Sequence, residues 1–151
     1  MALRDDMESG ESYFIVEIKS LKRILDESKK PEPLLCIVDE VLRGTNTIER
    51  IAASSQILAS LHQNWVLPFA ATHDIELSYI LEDLYDNYHF EEEVKEKEVV
   101  FSYILKKGRA TSRNAIRLLD MLEYDLGIVE GAAKAARDFE EKGVWESLKP
   151  I

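Results

Sequence analysis

Apolar residues near the start of the chain recur with the period of a helix, and Ser12 stands before them as a capping hydroxyl. The positions in this stripe are Phe14, Ile18, Leu21 and Leu25. They predict a helix from about Ser12 to Ser28 with one buried face. Segment 29–33 ends this helix, because its lysines suit a helix C-terminus and its prolines cannot continue the helix.

Two short apolar runs follow, and each ends in polar residues. Run 34–38 shows no alternation, which is typical of a parallel strand covered on both faces, and it ends at Asp39 and Glu40. Run 65–71 ends at residues 72–73, a threonine and a histidine. Since the carboxyl ends of parallel strands meet at one edge of a sheet, we expect the chemistry of the protein at this edge.

A helical period follows each apolar run. Thr47 is predicted to cap the first of these helices, which extends to about His62, and Asp74 to cap the second. The apolar-face positions of the first helix are Ile48, Ile51, Ala52, Ser55, Leu58 and Ala59, and those of the second are Ile75, Leu77, Leu81 and Leu84. The alternation of strands and helices predicts an α/β fold with a mostly parallel sheet and flanking helices.

The rest of the chain has a different pattern. Segments 87–92 and 99–105 flank the charged turn 94–98 and predict an antiparallel hairpin that finishes the sheet and is closed by Gly108. The last part predicts a helical C-terminal region. Its apolar positions are Ile116, Leu119 and Leu122 before Gly127, then Val129, Ala132, Ala133, Ala136 and Phe139.

Composition narrows the class of protein. The 151 residues are 46% hydrophobic and 32% charged, which is typical of one soluble globular unit. The net charge of −10, from 19 Lys and Arg against 29 Asp and Glu, opposes direct contact with DNA. Cys36 is the single cysteine, so no internal disulfide can form. No apolar stretch suits a transmembrane helix or a signal peptide, so we expect a cytoplasmic protein without a membrane partner.

The two strand ends carry the candidate chemistry. An apolar strand followed by Asp39 and Glu40 is a Walker B pattern, in which the first carboxylate binds Mg²⁺ and the second orients or activates a water. Two solvated carboxylates at a strand end are the alternative. A neutral His73 can donate a hydrogen bond to a phosphate, although a structural role is the alternative for this histidine and the favoured one for His62 and His89.

The segment after the first strand and the start of the first helix supply further candidates. Gly44 permits close backbone approach or a positive φ, and the hydroxyls of Thr45 and Thr47 can bind phosphate or cap a helix. Ser12 stands at a helix N-terminus, where free backbone N–H groups can bind an anion. Plain capping explains Ser12 equally well.

Three blocks of residues carry a resemblance to a known family. They are 5–17, 35–47 and 69–73, and they contain the Asp-Glu pair, the Arg-Gly-Thr-Asn-Thr loop and an Ala-Thr-His end. In this order the chain resembles the ATPase domain of the MutS family of DNA mismatch repair proteins from about Asp5 to Thr111, and its tail resembles the C-terminal helices of the family more loosely. Tyr13 stands where the family usually has Thr, and Arg50 where a small residue is common.

The resemblance implies an ABC-type P-loop ATPase that binds ATP and Mg²⁺ at sites completed across a homodimer. Asp39 then belongs to the Mg²⁺ site, Glu40 is the catalytic carboxylate, and His73 is the switch histidine near the γ-phosphate. Ser12 matches the signature serine that reaches the nucleotide of the partner subunit. The loop that passes signals across the dimer is matched by Gly44, Thr45, Asn46 and Thr47.

The printed sequence contains no G-x-x-x-x-G-K-[ST] loop, which cradles the phosphates in this class of ATPase. We therefore expect residues 1–110 to be the C-terminal part of a MutS-like ATPase domain, a half domain, and residues 111–151 to be a C-terminal helical region. The chain alone is expected not to hydrolyse ATP. Mismatched or branched DNA would be bound by domains that are not present in this chain.

Two alternatives remain open from the sequence. The first is a non-catalytic dimerisation module derived from an ATPase, which would associate through the Ser12 loop and the C-terminal helices. The second is an unrelated α/β phosphatase or hydrolase with Asp39 as nucleophile, which leaves segments 43–47 and 72–73 unexplained. Unpaired strand edges and apolar sheet faces also predict self-association of the chain.

Overall fold

A computed structural model describes residues 12–95, 98–110 and 114–148 of the chain. These residues fall into two compact units that are divided between Asn87 and Tyr88. The boundary predicted between residues 110 and 111 thus lies inside the second unit. In the part of the chain that the structure describes, no helix combines the length and the apolar character needed to cross a membrane.

The first unit is a strand, helix, strand, helix arrangement preceded by a long helix. Its elements are α1 (Tyr13–Ser28), β1 (Leu34–Asp39), α2 (Thr47–Ser60), β2 (Val66–Ala71) and α3 (Ile75–Ile80). β1 and β2 are parallel, and their register runs from Leu34 opposite Val66 to Asp39 opposite Ala71. The predicted α/β unit with parallel strands is therefore confirmed for this pair, whose carboxyl ends lie side by side.

The core of the first unit lies between one face of this sheet and the helices. Its buried members are Cys36, Leu58, Leu61, Val66, Leu77 and Leu81. Cys36 is a free thiol, and burial raises the pKa of this thiol. A second buried cluster of Leu21, Val41 and Leu42 attaches α1 to the segment that follows β1.

The buried face of α1 differs from the predicted stripe at one position. Ile18 is 40% exposed, whereas Glu17 is buried beside Leu21. The carboxylate of Glu17 accepts a hydrogen bond from the backbone N–H of Leu42, so a polar residue takes the inward position. On α2, Ile48 is likewise exposed although the periodicity predicts it on the buried face.

The outer face of the β1–β2 sheet is open, so the prediction that the first strand is covered on both faces is wrong for this structure. The side chains on this face alternate with the buried ones and are 55–71% exposed. They are Leu35, Ile37, Leu67 and Phe69. A face of four large apolar side chains in contact with water favours burial against another surface.

The second unit holds short strands and two helices. Its elements are β3 (Tyr88–His89), β4 (Glu92–Lys95), β5 (Glu98–Phe101), β6 (Lys106–Lys107), α4 (Ala115–Met121) and α5 (Leu126–Lys142). β4 pairs with β5 and β3 pairs with β6, both antiparallel, which confirms the predicted hairpin. Among the described strands only β1 and β2 pair in parallel, so a mostly parallel sheet is not confirmed, and the addition of the hairpin to the sheet of β1 and β2 stays a prediction.

The C-terminal helical region is confirmed as two helices that pack on each other. Gly127 lies in the first turn of α5, and the N-cap residue of this helix, Asp125, accepts a hydrogen bond from the Gly127 N–H at 2.9 Å. Gly143 ends α5 with a φ of 71°, the left-handed conformation that glycine adopts at helix ends. Phe139 then stacks on Trp145 with 4.1 Å between ring centroids.

The open sheet face predicts concentration-dependent self-association of the 151-residue chain. Ile37→Lys places a charge in the middle of this face and should reduce the association measured by light scattering or sedimentation. Ile48→Lys is the matched control, because Ile48 is also exposed but lies on α2. Equal effects of the two substitutions, or a monomeric wild-type chain at micromolar concentration, would contradict the prediction.

His89 predicts a pH dependence of the stability of the second unit. Its Nδ1 lies 2.9 Å from the Gly108 carbonyl oxygen and its Nε2 lies 2.9 Å from Glu91 Oε1. Two acceptors favour the doubly protonated ring, so the Glu91 carboxylate, followed by the Gly108 carbonyl, raises the pKa of His89 against the opposing effects of burial and, to a smaller extent, of nearby Lys106. Because the pKa of His89 is higher in the folded than in the unfolded chain, protonation of the ring stabilises the fold. This stabilisation is complete below the unfolded-state pKa of about 6.5 and is lost as the pH rises through the folded-state pKa.

Denaturant unfolding followed by tryptophan fluorescence at several pH values between about 6 and 8 tests this linkage. The free-energy difference between wild type and His89→Gln should be largest at the acidic end and shrink as the pH rises. His62→Gln replaces an exposed histidine and serves as the control. A difference that stays constant over the range would count against the protonated ring.

Candidate functional site

The segment after β1 turns sharply through two residues with positive φ. Glu40 has a φ of 55° and Leu42 a φ of 59°, a left-handed conformation that costs a residue with a Cβ about 1–2 kcal/mol. Leu42 is buried, and its N–H donates to Glu17 Oε1 at 2.6 Å. Ser54 of α2 donates to the Val41 carbonyl oxygen at 3.3 Å. These contacts fix the turn from both neighbouring helices.

Glu17 contacts the site, although the sequence analysis assigns it no role. Its side chain is buried, and within the described part of the chain Oε2 has no hydrogen-bond partner. The helical spacing of Glu17, Leu21 and Ser28 could have indicated that Glu17 is buried, because these three residues share one buried face of α1. Apolar periodicity alone overlooks such a face, because two of its positions are polar.

Gly44 lies directly against α1, which agrees with the close backbone approach predicted for it. A Cβ built at Gly44 would lie 2.8 Å from Cδ2 and 3.0 Å from Cβ of Phe14. Both distances are at or below the limit of real carbon contacts, so a larger residue cannot fit without movement. Phe14 at Gly44 and Glu17 at Leu42 therefore attach α1 to the whole turn.

Glu40 makes hydrogen bonds to both strand ends of the site. Its backbone N–H donates to the Ala71 carbonyl oxygen at 2.9 Å, which continues the pairing of the two strands past their ends. Its Oε1 accepts the backbone N–H of His73 at 2.9 Å, and its Oε2 accepts Arg43 Nε at 3.2 Å. The side chain is only 16% exposed. The structure thus brings together the acid of the first strand end and the histidine of the second.

The imidazole of His73 is 92% exposed, and its Nε2 lies 3.8 Å from Glu40 Oε1. The ring is therefore held through its backbone and is accessible to a ligand. Thr72 forms the turn before α3, because its Oγ1 accepts the N–H of Asp74 at 3.0 Å.

Asp39 is the last residue of β1 and lies opposite Ala71, with an exposed side chain. Among the described residues, no group of three or more His, Cys, Asp or Glu side chains is placed to hold a metal ion. Mg²⁺ in nucleotide sites is bound by one or two carboxylates together with waters and substrate phosphates. An accessible Asp39 beside Glu40 fits that kind of site.

Two of the residues that are predicted to contact a nucleotide, Ser12 and Asn46, cap helices in the structure. Ser12 caps α1 and accepts the Ile15 N–H at 3.5 Å, so its capping role is present, and its ligand role stays a prediction. The cap of α2 is Asn46, whose Oδ1 accepts the Glu49 N–H at 3.0 Å, and the prediction that Thr47 is this cap is wrong.

Thr45 and Thr47 have different surroundings from each other. Thr45 donates from Oγ1 to Glu49 Oε2 at 2.9 Å. Thr47 is the exposed first residue of α2, where its hydroxyl is not used as the cap. Since the Asn46 side chain reaches the third residue after it, Asn46 outcompetes Thr47 for the free N–H groups of the first turn.

Asp74 holds the cap position of α3 but makes no capping hydrogen bond, contrary to the prediction. It binds Arg50 of α2 instead, with Arg50 Nε 2.7 Å from Oδ2 and Nη2 2.5 Å from Oδ1. The carboxylate of Asp74 and, to a smaller extent, that of Glu40 raise the pKa of Arg50 against the opposing effect of its burial. Spacing could not reveal this pair, because its members are 24 residues apart.

A shallow groove elsewhere in the first unit runs along α1 and β1. It is lined by Arg23, Ile24, Glu27, Leu34, Leu35, Cys36 and Ile37. None of the predicted site residues lines this groove. The cluster around Glu40 therefore remains the candidate site, because it gathers the chemistry at the paired strand ends.

Comparison with known proteins gives one consistent match. The sequence family described as MutS domain V matches residues 1–140. The DNA mismatch repair protein MutS of Aquifex pyrophilus is 33% identical over 148 residues, which cover 95% of this chain and 17% of that protein. The MutS proteins of Bacillus licheniformis and Thermus thermophilus are 30% and 28% identical, covering 90% and 85% of this chain and 16% of each relative. The chain spans about a sixth of the length of these curated relatives.

The contact between Gly44 and Phe14 predicts that Gly44→Ala destabilises the first unit by about 1–3 kcal/mol through overpacking. Urea unfolding of the single variants and of Gly44→Ala combined with Phe14→Ala measures the coupling between the two sites. The cost of the alanine at position 44 should be smaller in the Phe14→Ala background, because Cδ2 and Cγ of Phe14, which lie 2.8 and 3.2 Å from the added Cβ, are gone. Gly131→Ala, where an added Cβ meets nothing within 4 Å, is the control.

Proposed function

Because this chain belongs to the MutS domain V family, we propose that it acts in DNA mismatch repair as the later part of an ABC-type P-loop ATPase domain. In this proposal the domain couples ATP binding and hydrolysis to the binding of mismatched or branched DNA. Its relatives named as MutS proteins are about six times as long as this chain. DNA contact is therefore assigned to other domains, in keeping with the net charge of −10 of this one.

One observation carries the proposal: Asp39, Glu40 and His73 meet at the ends of two paired parallel strands, where Glu40 Oε1 accepts the His73 N–H. Two acidic residues and a histidine at neighbouring strand ends are suited to phosphoryl chemistry. An unrelated hydrolase with Asp39 as nucleophile has less support, because it has no use for the His73 contact.

Each residue has a role that follows from its position. Asp39 would hold Mg²⁺, which neutralises phosphate charge when it is bound. Glu40 orients the attacking water and accepts its proton, and the accessible imidazole of His73 donates a hydrogen bond to the γ-phosphate. Ser12, at the N-terminus of the long helix α1, binds the nucleotide of a partner subunit in a homodimer.

The loop of Gly44, Thr45, Asn46 and Thr47 is assigned to signalling across that dimer. Its contact with Phe14 of α1 supports this role, because a displacement of Ser12 would be passed through α1 to the turn that bears Glu40. The printed sequence lacks a G-x-x-x-x-G-K-[ST] loop, so we propose that the isolated chain is inactive and that a phosphate-binding loop outside these residues completes the site.

A non-catalytic dimerisation module is the second candidate. It is favoured by exposed apolar side chains around the turn between α4 and α5, which are 51–65% exposed. These are Leu122, Tyr124, Leu126 and Ile128. In this alternative the acids at the strand ends have no chemical role, so the protein that joins this chain to a phosphate-binding loop would not hydrolyse ATP.

In the protein that joins this chain to a phosphate-binding loop, Glu40→Gln should preserve ATP binding and slow hydrolysis by about 10²–10⁴-fold. The glutamine keeps the size of the side chain, and its oxygen can still accept the His73 N–H, but its amide group cannot accept Arg43 Nε or the proton of the water. ATP binding is measured with a fluorescent nucleotide and hydrolysis by phosphate release. Glu32→Gln, an exposed acid between α1 and β1, is the control. Near-normal hydrolysis by Glu40→Gln would remove Glu40 from the catalytic role, and an absence of hydrolysis by the wild-type protein would favour the dimerisation module.

A further inference from the structure

The ion pair between Arg50 and Asp74 joins the first turn of α2 to the turn that carries His73. Both Arg50 nitrogens that face the carboxylate are within hydrogen-bond distance, 2.7 and 2.5 Å, so the pair is bidentate. Its side chains are 21% and 12% exposed. A bidentate, largely desolvated pair is geometrically specific and stronger than an exposed ion pair.

Asp74 gives up a local interaction to make this tertiary one. It occupies the cap position of α3, where an aspartate side chain usually accepts a backbone N–H and stabilises the helix. No such bond is formed, because both carboxylate oxygens face Arg50. The link to α2 therefore takes precedence over capping of the short α3.

The turn between β2 and α3 is thus held on two sides. On one side the N–H of His73 donates to Glu40 Oε1, and on the other side Asp74 binds Arg50. The imidazole of His73 is too exposed to be positioned by packing. Its direction toward Glu40 depends on the backbone of the turn, and this backbone depends on its two attachments.

We propose that Arg50 and Asp74 are positioning residues that hold His73 beside Glu40. The proposal rests on the assignment of His73 and Glu40 to ATP hydrolysis. It gives a role to Arg50, a position at which the MutS family commonly has a small residue. Neither member of the pair touches substrate in this proposal. They act through the turn that bears the histidine.

Amide hydrogen exchange in the 151-residue chain tests the positioning without any reaction. Arg50→Gln and Asp74→Asn each remove the charge of one partner and should accelerate exchange of the His73 N–H about ten- to a hundredfold more than exchange of core amides such as that of Leu58. Arg50→Lys keeps the positive charge but loses the forked geometry of the guanidinium group. Its His73 N–H should therefore exchange at a rate between that of these two variants and that of the wild type.

Tyr85→Phe is the control for a merely structural effect. It removes the hydrogen bond from the Tyr85 hydroxyl to the Leu58 carbonyl oxygen in the same unit, away from the His73 turn. The expected result is a similar change at all slowly exchanging amides of the unit, with no selective change at His73. If Arg50→Gln produces the same uniform pattern, the pair only stabilises the fold, and the proposal is overturned.

Hydrolysis by the protein that carries a phosphate-binding loop supplies the second test. Arg50→Gln should lower kcat about tenfold with little change in the KM for ATP, because it disturbs His73 and not nucleotide binding. If Glu40→Gln slows hydrolysis but Arg50→Gln leaves kcat unchanged, the positioning role fails and the ATPase assignment stands. If neither substitution changes hydrolysis, the assignment of Glu40 and His73 to catalysis fails, whereas the exchange rate of the His73 N–H still decides whether the Arg50–Asp74 pair holds the turn.

Discussion

The hydrogen bond between the buried Glu17 carboxylate and the N–H of Leu42 is the constraint on which the site depends. The turn after β1 needs left-handed conformations at Glu40 and Leu42, and neither residue is a glycine. Such backbone persists only where its surroundings determine it. Glu17 fixes the N–H at 2.6 Å, and burial of Leu42 and Val41 against Leu21 adds an apolar anchor. α1 is therefore part of the site although none of the strand-end residues lies on it.

Parallel pairing supplies the second half of the arrangement. Asp39 lies opposite Ala71, and the Glu40 N–H extends the ladder to the Ala71 carbonyl oxygen, so both polar ends emerge at one edge. Glu40 then occupies the gap between the two turns and binds the backbone of one and the side chain of Arg43 in the other. The same left-handed turn that costs free energy aims this carboxylate across the strand ends.

The elements and the strand-end chemistry could be predicted because they depend on local pattern. Apolar runs ending in acids or in Thr72 and His73 mark parallel strands, and α1 follows from its period and its serine cap. The burial of Glu17 could not be predicted this way, because its partner is a backbone group 25 residues away. The local sequence likewise predicts Asp74 as a helix cap, whereas in the structure its carboxylate binds Arg50 of α2. The pattern of apolar and polar residues therefore predicts local structure, such as helices and their caps. Polar contacts between residues that are far apart in the sequence are not visible in this pattern and can replace the local contacts that it predicts.

The two contacts of Glu40 differ in what their release would require. The contact with His73 uses a backbone N–H in a turn that is attached to α2 through Asp74, so breaking it means moving that turn. The contact with Arg43 uses a side chain that is 59% exposed, and exposed ion pairs contribute only about 0–1 kcal/mol. The contact with Arg43 is therefore easier to release than the contact with the His73 turn. Arg43 directly precedes the loop of Gly44 to Thr47, which the proposal assigns to signalling between subunits, so the more easily released contact of Glu40 adjoins that loop.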